Sequence, residues 1–480
     1  MSGIQTTITP WDGSVVCTRP YPTVAAVEAS IEKCAASSWS TVPLRTRIDI
    51  ARKFIECFKA LDWDTLASEL TLQMGRPVSQ CKGEFNGMVG RAEYMISIAE
   101  EALKDVEFDS VPPFKKRIKR VPHGVVMLIV PWNYPYLTTI NTLLPALVAG
   151  NTVILKPSER TPLTGERLVE AWCKAGLPQD CLQLLHLTPE LTQHAIRHPK
   201  VSLTQFTGSV RVGRLVEAGA ATAPLEGLFK TVGLELGGKD PAYVRADANL
   251  EYTVAELMDG SFFNSGQSCC AIERIYVHES IYPAFVSQFR AATERTYRLG
   301  DPRNKETNLG PVISVEAAAS IRAQVKSALE AGAQLVIPAA RHTELYPLDK
   351  PGSPFVGPQA LVGTNHTMDI VMEETFGPVV PIMRVRDDAE AVRLMNDSKY
   401  GLTASIWTSE EEAFTRLADQ LKTGTVFMNR CDFLDPALAW TGVKDSGRGV
   451  SLSKFGYDQL TRAKSIHVKI VDSGKVKALL

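Results

Sequence analysis

The stretch Ser261–Arg274 reads S-F-F-N-S-G-Q-S-C-C-A-I-E-R, and its adjacent cysteines, Cys269 and Cys270, are the side chains best suited to covalent chemistry. A nucleophilic thiol needs an exposed corner lined by backbone, which a turn containing Gly266 provides. A free cysteine near neutral pH is only slightly ionised, so a neighbour must take its proton. No Cys-His pair lies close in sequence, so that partner comes from elsewhere in the chain. Taken alone, two adjacent cysteines read more readily as plain core.

Four other stretches carry matching chemistry. In Leu234–Gly238, L-E-L-G-G, Glu235 sits between apolar residues, where partial burial raises a carboxyl toward the range of a general base. In Pro131–Pro135, P-W-N-Y-P, Asn133 offers a side-chain N–H₂ held between prolines, a donor suited to a developing oxyanion. Phe206–Gly213, F-T-G-S-V-R-V-G, places Gly208 in a tight turn and Ser209 at a helix cap. The free N–H groups there favour a pyrophosphate, although a plain strand-to-helix turn looks much the same. Leu155–Glu159, L-K-P-S-E, puts Lys156 and Glu159 at the end of a strand, a donor and an acceptor suited to ribose hydroxyls. The Glu159 carboxylate would repel a 2′-phosphate and so favours NAD over NADP.

These stretches fall at the junctions of an α/β pattern. Residues 23–104 read as helices: one after a cap at Thr23, a second from Leu44 to Leu72, and a third over about Phe85–Leu103. Phe114–Val121 alternates like an exposed strand, and Val125–Val130 is a continuous apolar run expected of a buried parallel strand. Helices over Asn141–Val148, Thr161–Ala175 and Leu191–His198 alternate with strands at Thr152–Leu155, Leu182–Leu187 and Val201–Phe206, the signature of a doubly wound domain. A second alternating series follows Glu235, including a helix from Leu250 to Asn264. Ala463–Val471 alternates again and is a candidate to pair with the strand near 114–121, leaving an edge suited to oligomerisation.

The bulk properties narrow the function classes. The 480 residues allow two or three domains, and a net charge of −1 gives no support for nucleic-acid binding or a polybasic membrane surface. The K-K-R-I-K-R run at Lys115–Arg120 reads as a solvated strand face. No apolar run spans a membrane, the start lacks the pattern of a secretory signal, and the V-K-A-L-L tail matches no retention motif. Nine cysteines without C-x-x-C spacing point to a reducing compartment, the cytoplasm by default, and away from structural metal.

The motifs P-W-N-Y-P, I-L-K-P-S-E, F-T-G-S-x-x-x-G, L-E-L-G-G-K and F-F-N-S-G-Q-x-C occur in that order. E-E-T-F-G-P-V (Glu373–Val379), N-D-S-K-Y-G-L (Asn396–Leu402) and G-V-K-D-S-G-R-G (Gly442–Gly449) follow. Together they resemble the NAD(P)-dependent aldehyde dehydrogenase superfamily over essentially the whole chain. The resemblance implies an aldehyde dehydrogenase fold: a Rossmann-type cofactor domain from residues 1–110 and 130–236, and an α/β catalytic domain from 237–445. A small β oligomerisation arm at 111–129, with the C-terminal segment 446–480, completes it. It implies Cys269 as nucleophile, Glu235 as general base, and Asn133 with the Cys269 N–H as oxyanion hole. Trp132, Lys156, Glu159, Gly208, Ser209, Gly213, Glu374 and Phe376 are the implied contacts of NAD, with NADP the other candidate. Tyr134, Asn141, Ser268, Leu434 and Trp440 are the implied substrate contacts. The implied partners are a small-molecule aldehyde and further copies of the chain, as a homodimer or homotetramer.

Two departures stand out. Trp440 lies in A-W-T-G (Ala439–Gly442), where the family usually has P-F-G-G. Val450–Ser451 replaces the usual R-E, removing an acidic residue sometimes assigned to a proton relay. With no obvious arginine near Cys269 other than Arg274, a carboxylate-bearing substrate is not expected. A CoA-acylating enzyme, a non-catalytic relative of the fold and a thiol hydrolase without redox chemistry are the competing readings; Glu235 counts against the first.

Overall fold

The computed structural model describes residues 3–222 and 227–471; the V-K-A-L-L tail and the end of the C-terminal segment lie outside them. The chain opens on a hairpin that the sequence patterns do not suggest, β1 (Ile4–Ile8) paired antiparallel with β2 (Val15–Pro20). Its polarity is inverted: Gln5 and Thr7 are buried while Ile4 and Ile8 are exposed, so no apolar face marks the strand.

Helices α1 (Val24–Ala35), α2 (Leu44–Lys59), α3 (Trp63–Met74) and α4 (Val78–Ala102) follow. Thr23 caps α1, accepting the Ala26 N–H. The run expected to continue from Leu44 to Leu72 is two helices. Asp62 accepts the Asp64 N–H at 3.1 Å and caps α3, a competing use of backbone donors that ends the continuity.

Next come β3 (Val106–Glu107), β4 (Phe114–Pro122) and β5 (Val125–Ile129). They are followed by α5 (Pro135–Ala149), β6 (Thr152–Lys156), α6 (Pro162–Lys174), β7 (Leu182–Leu184) and α7 (Pro189–Arg197). The series closes with β8 (Val201–Thr207), α8 (Val210–Ala221) and β9 (Thr231–Glu235). Helix α5 starts at Pro135, well before the expected Asn141. Proline is pre-set for a first turn, and Thr138 turns its hydroxyl onto the Tyr134 carbonyl at 2.8 Å, so the polar residues there do not break the helix. Asn141 consequently lies in mid-helix.

The second series runs β10 (Asp240–Val244), α9 (Leu250–Phe262), β11 (Ile272–His278), α10 (Tyr282–Thr296) and α11 (Val315–Glu330). It continues with β12 (Gln334–Leu335), α12 (Ala339–Leu345), β13 (Gln359–Val362), α13 (Asp369–Met372) and β14 (Val379–Val385). Then come α14 (Asp388–Asn396), β15 (Thr403–Trp407), α15 (Glu411–Ala418) and β16 (Thr425–Met428). Helix α9 stops short of the expected Asn264 because Asn264 and Ser265 take left-handed φ of 53° and 58°. The chain ends its described part with β17 (Gly447–Arg448), α16 (Ser453–Gln459) and β18 (Thr461–Lys469).

One sheet has the order β17-β9-β8-β5-β6-β7, parallel except where β17 meets β9. Another has the order β12-β13-β14-β11-β10-β15-β16, parallel except at β12. Only Leu236–Lys239 separate β9 in the first sheet from β10 in the second. A third sheet, β18-β4-β3, is antiparallel, with β18 paired along all of β4. The arm expected at 111–129 therefore ends at Pro122. Every residue of β5 is buried, and β5 lies inside the first sheet between β8 and β6. Gly447–Arg448 likewise belong to that sheet rather than to the arm.

Candidate active site

Strand ends and turns from both layers converge on a cavity of about 790 Å³. Asn133 follows β5 and is buried, and its Nδ2 donates to the Gln267 carbonyl at 3.2 Å, two residues before Cys269. Arg76 and Asn264 both donate to the Asn133 carbonyl. Arg76 is itself ion-paired with Glu84, whose other oxygen accepts the Tyr136 N–H at 2.7 Å. This closed network fixes both the strand end and the left-handed turn before the cysteines. Gly266 is required there, because a Cβ would lie 2.3 Å from the Gly377 carbonyl oxygen at a φ of +69°. The Arg76–Glu84 pair left no readable signal in sequence, since its members bond to residues far along the chain.

Cys269, Cys270 and Cys431 all line the cavity, in different states. Cys270 is buried and donates to Asp432 at 3.0 Å; contact with Cys269, burial and the Asp432 charge together push its thiol well above the usual range. Cys431 reaches the Glu256 carbonyl at 3.6 Å, and burial pushes its thiol up as well. Cys269 is only partly buried and opens into the cavity. Asp432, which the sequence reading missed, also accepts the Ser268 hydroxyl at 2.8 Å, and burial lifts its carboxyl to about 6.

Glu235 ends β9 and faces the same cavity. Burial raises its carboxyl, opposed by the Ser451 hydroxyl, Arg91 and Thr207, whose Oγ1 lies 3.4 Å from Oε2. Ser451, the residue standing where an acid was expected, is thus beside the carboxylate. Its hydroxyl has no well-directed hydrogen bond among the described residues.

At the far end the cavity is lined by Trp132, Thr207, Gly208, Ser209, Glu374 and Phe376. Ser209 caps α8, leaving first-turn N–H groups turned toward the cavity end. Glu374 accepts the Gly238 N–H at 3.0 Å, and burial pushes its carboxyl up to about 8. A Cβ at Gly237 would meet that carboxylate at 2.3 Å, which is why glycine follows Leu236. The loop itself hangs on Glu273, which accepts the Thr375 and Phe376 N–H groups, each at 2.8 Å, and pairs with buried Lys239 at 2.7 Å. Lys156 ends β6 and Glu159 lies beyond it, both outside the cavity wall; the Lys156 carbonyl accepts the Val130 N–H at 3.2 Å, its ammonium has no hydrogen bond to another described residue, and burial lowers the ammonium. Gly213 is also outside, packed where a Cβ would lie 2.6 Å from Leu236.

Tyr134, Asn141, Ser268, Leu434 and Trp440 all line the cavity, as does Arg91 from α4. Here the structure corrects the sequence reading. Arg274 points away, into buried bonds with the Lys239 and Met395 carbonyls, whereas Arg91, far off in sequence, faces the cavity. Its Nη1 donates to Asn141 Oδ1 at 3.1 Å and to the Leu137 carbonyl at 3.3 Å. Helical periodicity across α4 places it, but no motif flags it.

A family model described as the Aldehyde dehydrogenase family matches residues 2–466. The chain belongs to the aldehyde dehydrogenase family. It is 35% identical over 463 residues to a succinate-semialdehyde dehydrogenase [NADP(+)] of Deinococcus radiodurans, covering 96% of this chain and 94% of that one. It is 32% identical over 446 residues to a betaine aldehyde dehydrogenase of Bacillus subtilis, covering 92% and 88%. Among solved structures it resembles an NAD-dependent aldehyde dehydrogenase from Sinorhizobium meliloti, with a TM-score of 0.90 at 29% identity over 97% of this chain and 91% of that one. A point-mutant betaine aldehyde dehydrogenase from Staphylococcus aureus in complex with NAD+ gives a TM-score of 0.89 at 29% identity, covering 97% and 94%. The activity of this aldehyde dehydrogenase is the NAD(P)-dependent oxidation of an aldehyde to the acid. The far end of the cavity fits a dinucleotide, with a capped helix N-terminus for phosphate and a carboxyl seated against a glycine that leaves it room; the Lys156 ammonium lies outside the cavity wall.

Proposed function

We propose that Cys269 is the nucleophile, Glu235 the general base, and Asn133 with the Cys269 N–H the oxyanion hole. The observation that carries this is the contrast among the three cavity cysteines. Cys270 and Cys431 are committed as donors and their thiols are pushed up, while Cys269 is open to the cavity that Asn133 and Glu235 share. Glu235 removes the thiol proton, directly or through a water, and the sulfur bonds to the aldehyde carbon. The carbonyl π pair moves to oxygen, where the second Nδ2 hydrogen of Asn133 and a backbone N–H hold it. A bound oxidised nicotinamide would supply the hydride acceptor for that carbon. Glu235 passes the thiol proton on to solvent and, a carboxylate again, deprotonates water for attack on the Cys269 thioester. The C–S bond breaks, the acid leaves, and Cys269 returns as thiolate.

Trp132, Gly208, Ser209, Glu374 and Phe376 hold the cofactor in this reading, with Lys156 and Glu159 at the adenosine ribose and Gly213 supporting the α8 turn from behind. Glu159 favours NAD over NADP. Tyr134, Asn141, Ser268, Leu434 and Trp440 shape the substrate end. Residues up to 236, without the arm, form the cofactor domain and 237–445 the catalytic domain. The β3–β4–β18 sheet, with exposed Phe114, Val468 and Ile470, joins copies into a homodimer or homotetramer. Nine free cysteines support a cytoplasmic location.

The test is NADH and NADPH formation from a panel of aldehydes, with and without CoA. Free acid formed without CoA supports the reading. Product that appears only with CoA would make this an acylating enzyme, and no turnover with either would favour a non-catalytic relative.

A further inference from the structure

Arg91 has a feature the reaction above does not use. A guanidinium carries five N–H donors and no acceptor. Both of its hydrogen bonds leave from Nη1, to the neutral Asn141 and Leu137 oxygens. Nε–H and both Nη2 hydrogens have no partner among the described residues, and no carboxylate forms an ion pair with it. Burying a charge is unfavourable, and although Glu235 and Glu84 act on Arg91 through space, neither reaches ion-pair distance, so its vacant donors are left for a ligand. Nε and Nη2 are moreover the parallel donors that a carboxylate engages with both oxygens.

The surroundings extend the argument. Because Arg91 only donates, Asn141 must turn its oxygen toward it, which leaves the Asn141 Nδ2 hydrogens as a second set of donors. Beside Arg91, α4 shows Gly83, Gly87 and Gly90 to the cavity; a Cβ at Gly83 or Gly90 would meet nothing within 4 Å, which leaves room for a ligand, while Gly87 packs against Leu137. Glycine weakens a helix interior, and three on the cavity side of one helix are a cost tolerated for space. Glu235, Glu256, Asp259, Glu374 and Asp432 line the same cavity, and Arg76, its other lining cation, is spent on Glu84. A single available guanidinium among these acids suits a monoanion and not a doubly charged phosphate.

We propose that Arg91, assisted by Asn141, binds the carboxylate of the substrate, so that this enzyme oxidises carboxylated aldehydes (semialdehydes) in preference to neutral ones. The inference rests on Cys269 acting in this cavity. It reverses the expectation drawn from sequence, where no arginine stood near the cysteine pair.

The experiment compares kcat/KM for succinic semialdehyde and 4-carboxybenzaldehyde with butanal and benzaldehyde, and adds 4-aminobutanal as a cationic arm. Wild type, Arg91→Met and Arg91→Lys are measured side by side. Wild type should prefer a carboxylated aldehyde over its neutral match. Arg91→Met should lower that ratio at least about tenfold, mainly through KM, and Lys should restore part of it. A binding readout accompanies it: the dicarboxylate product, succinate or terephthalate, should bind Cys269→Ala protein by calorimetry and not the Arg91→Met double variant. Equal losses on neutral and carboxylated aldehydes, a wild type indifferent to the carboxylate, or a preference for 4-aminobutanal would overturn the inference. Those outcomes all leave aldehyde oxidation standing, whereas absence of turnover on every aldehyde would remove the reading beneath it.

Discussion

Two arginines approach the same cavity from adjoining parts of the chain, and their surroundings are opposite. Arg76 is fully buried, paired with Glu84, and bonded to Asn264 and the Asn133 carbonyl. Arg91 has two neutral oxygens and three idle donor hydrogens. The first belongs to a network closed on itself, which sets the geometry of the turn that carries Cys269. The second is an open valence. A closed polar network identifies structure and an open one identifies a ligand, although one arginine lies just before α4 and the other within it. The adjacent cysteines repeat the contrast, with Cys270 buried and committed to Asp432 and Cys269 partly exposed to the cavity.

The largest effect should separate the cysteines. Cys269→Ala is expected to lower kcat/KM by at least about a thousandfold, and Cys270→Ala by less than about tenfold, in steady-state NADH assays. Equal losses would dissolve the contrast between them. The arginines should differ in stability instead. Arg76→Met leaves Glu84 buried without its partner and should cost about 3–5 kcal/mol in urea unfolding, while Arg91→Met, which removes an unpaired charge, should cost less than about 1 kcal/mol.

Glu374 gives a pH-dependent test. Its carboxyl rises on folding from the ordinary 4.5 to about 8, so the folded chain holds that proton more tightly than the unfolded one. Its contribution to stability is therefore complete below about 4.5 and is lost as the pH rises through about 8. Without cofactor, wild type should lose stability relative to Glu374→Gln across that window; a constant difference in melting temperature would contradict the burial argument. The smallest effect concerns the cofactor. Glu159→Gln should shift the NADP-to-NAD ratio of kcat/KM toward NADP by about tenfold at most, because Glu159 is exposed and outside the cavity.

Much of the site was legible because its residues sit at strand ends with distinctive neighbours: Asn133 between prolines, Glu235 before paired glycines, Cys269 after Gly266. Resemblance across eight motifs, rather than any one of them, identified the family. What escaped was held by partners distant in the chain. Arg76, Glu84, Lys239 and Glu273 act through pairs that no local pattern reveals, Asp432 sits on a loop without periodicity, and Arg91 is one polar residue in a long helix. The hairpin β1–β2 escaped for a different reason, since its buried face is polar. The helix expected from Asn141 begins at Pro135, since threonines whose hydroxyls bond back to a helix carbonyl, as Thr138 does to Tyr134, do not interrupt it.

The measurement that tests the account most directly is the position of the covalent intermediate. Glu235→Gln protein given NAD and an aldehyde should accumulate an acyl thioester, because hydrolysis lacks its base. Peptide mapping by mass spectrometry should then find one acyl group per chain, on Cys269. An acyl group on Cys270, bonded to Asp432, or turnover without any acylated cysteine, would contradict it.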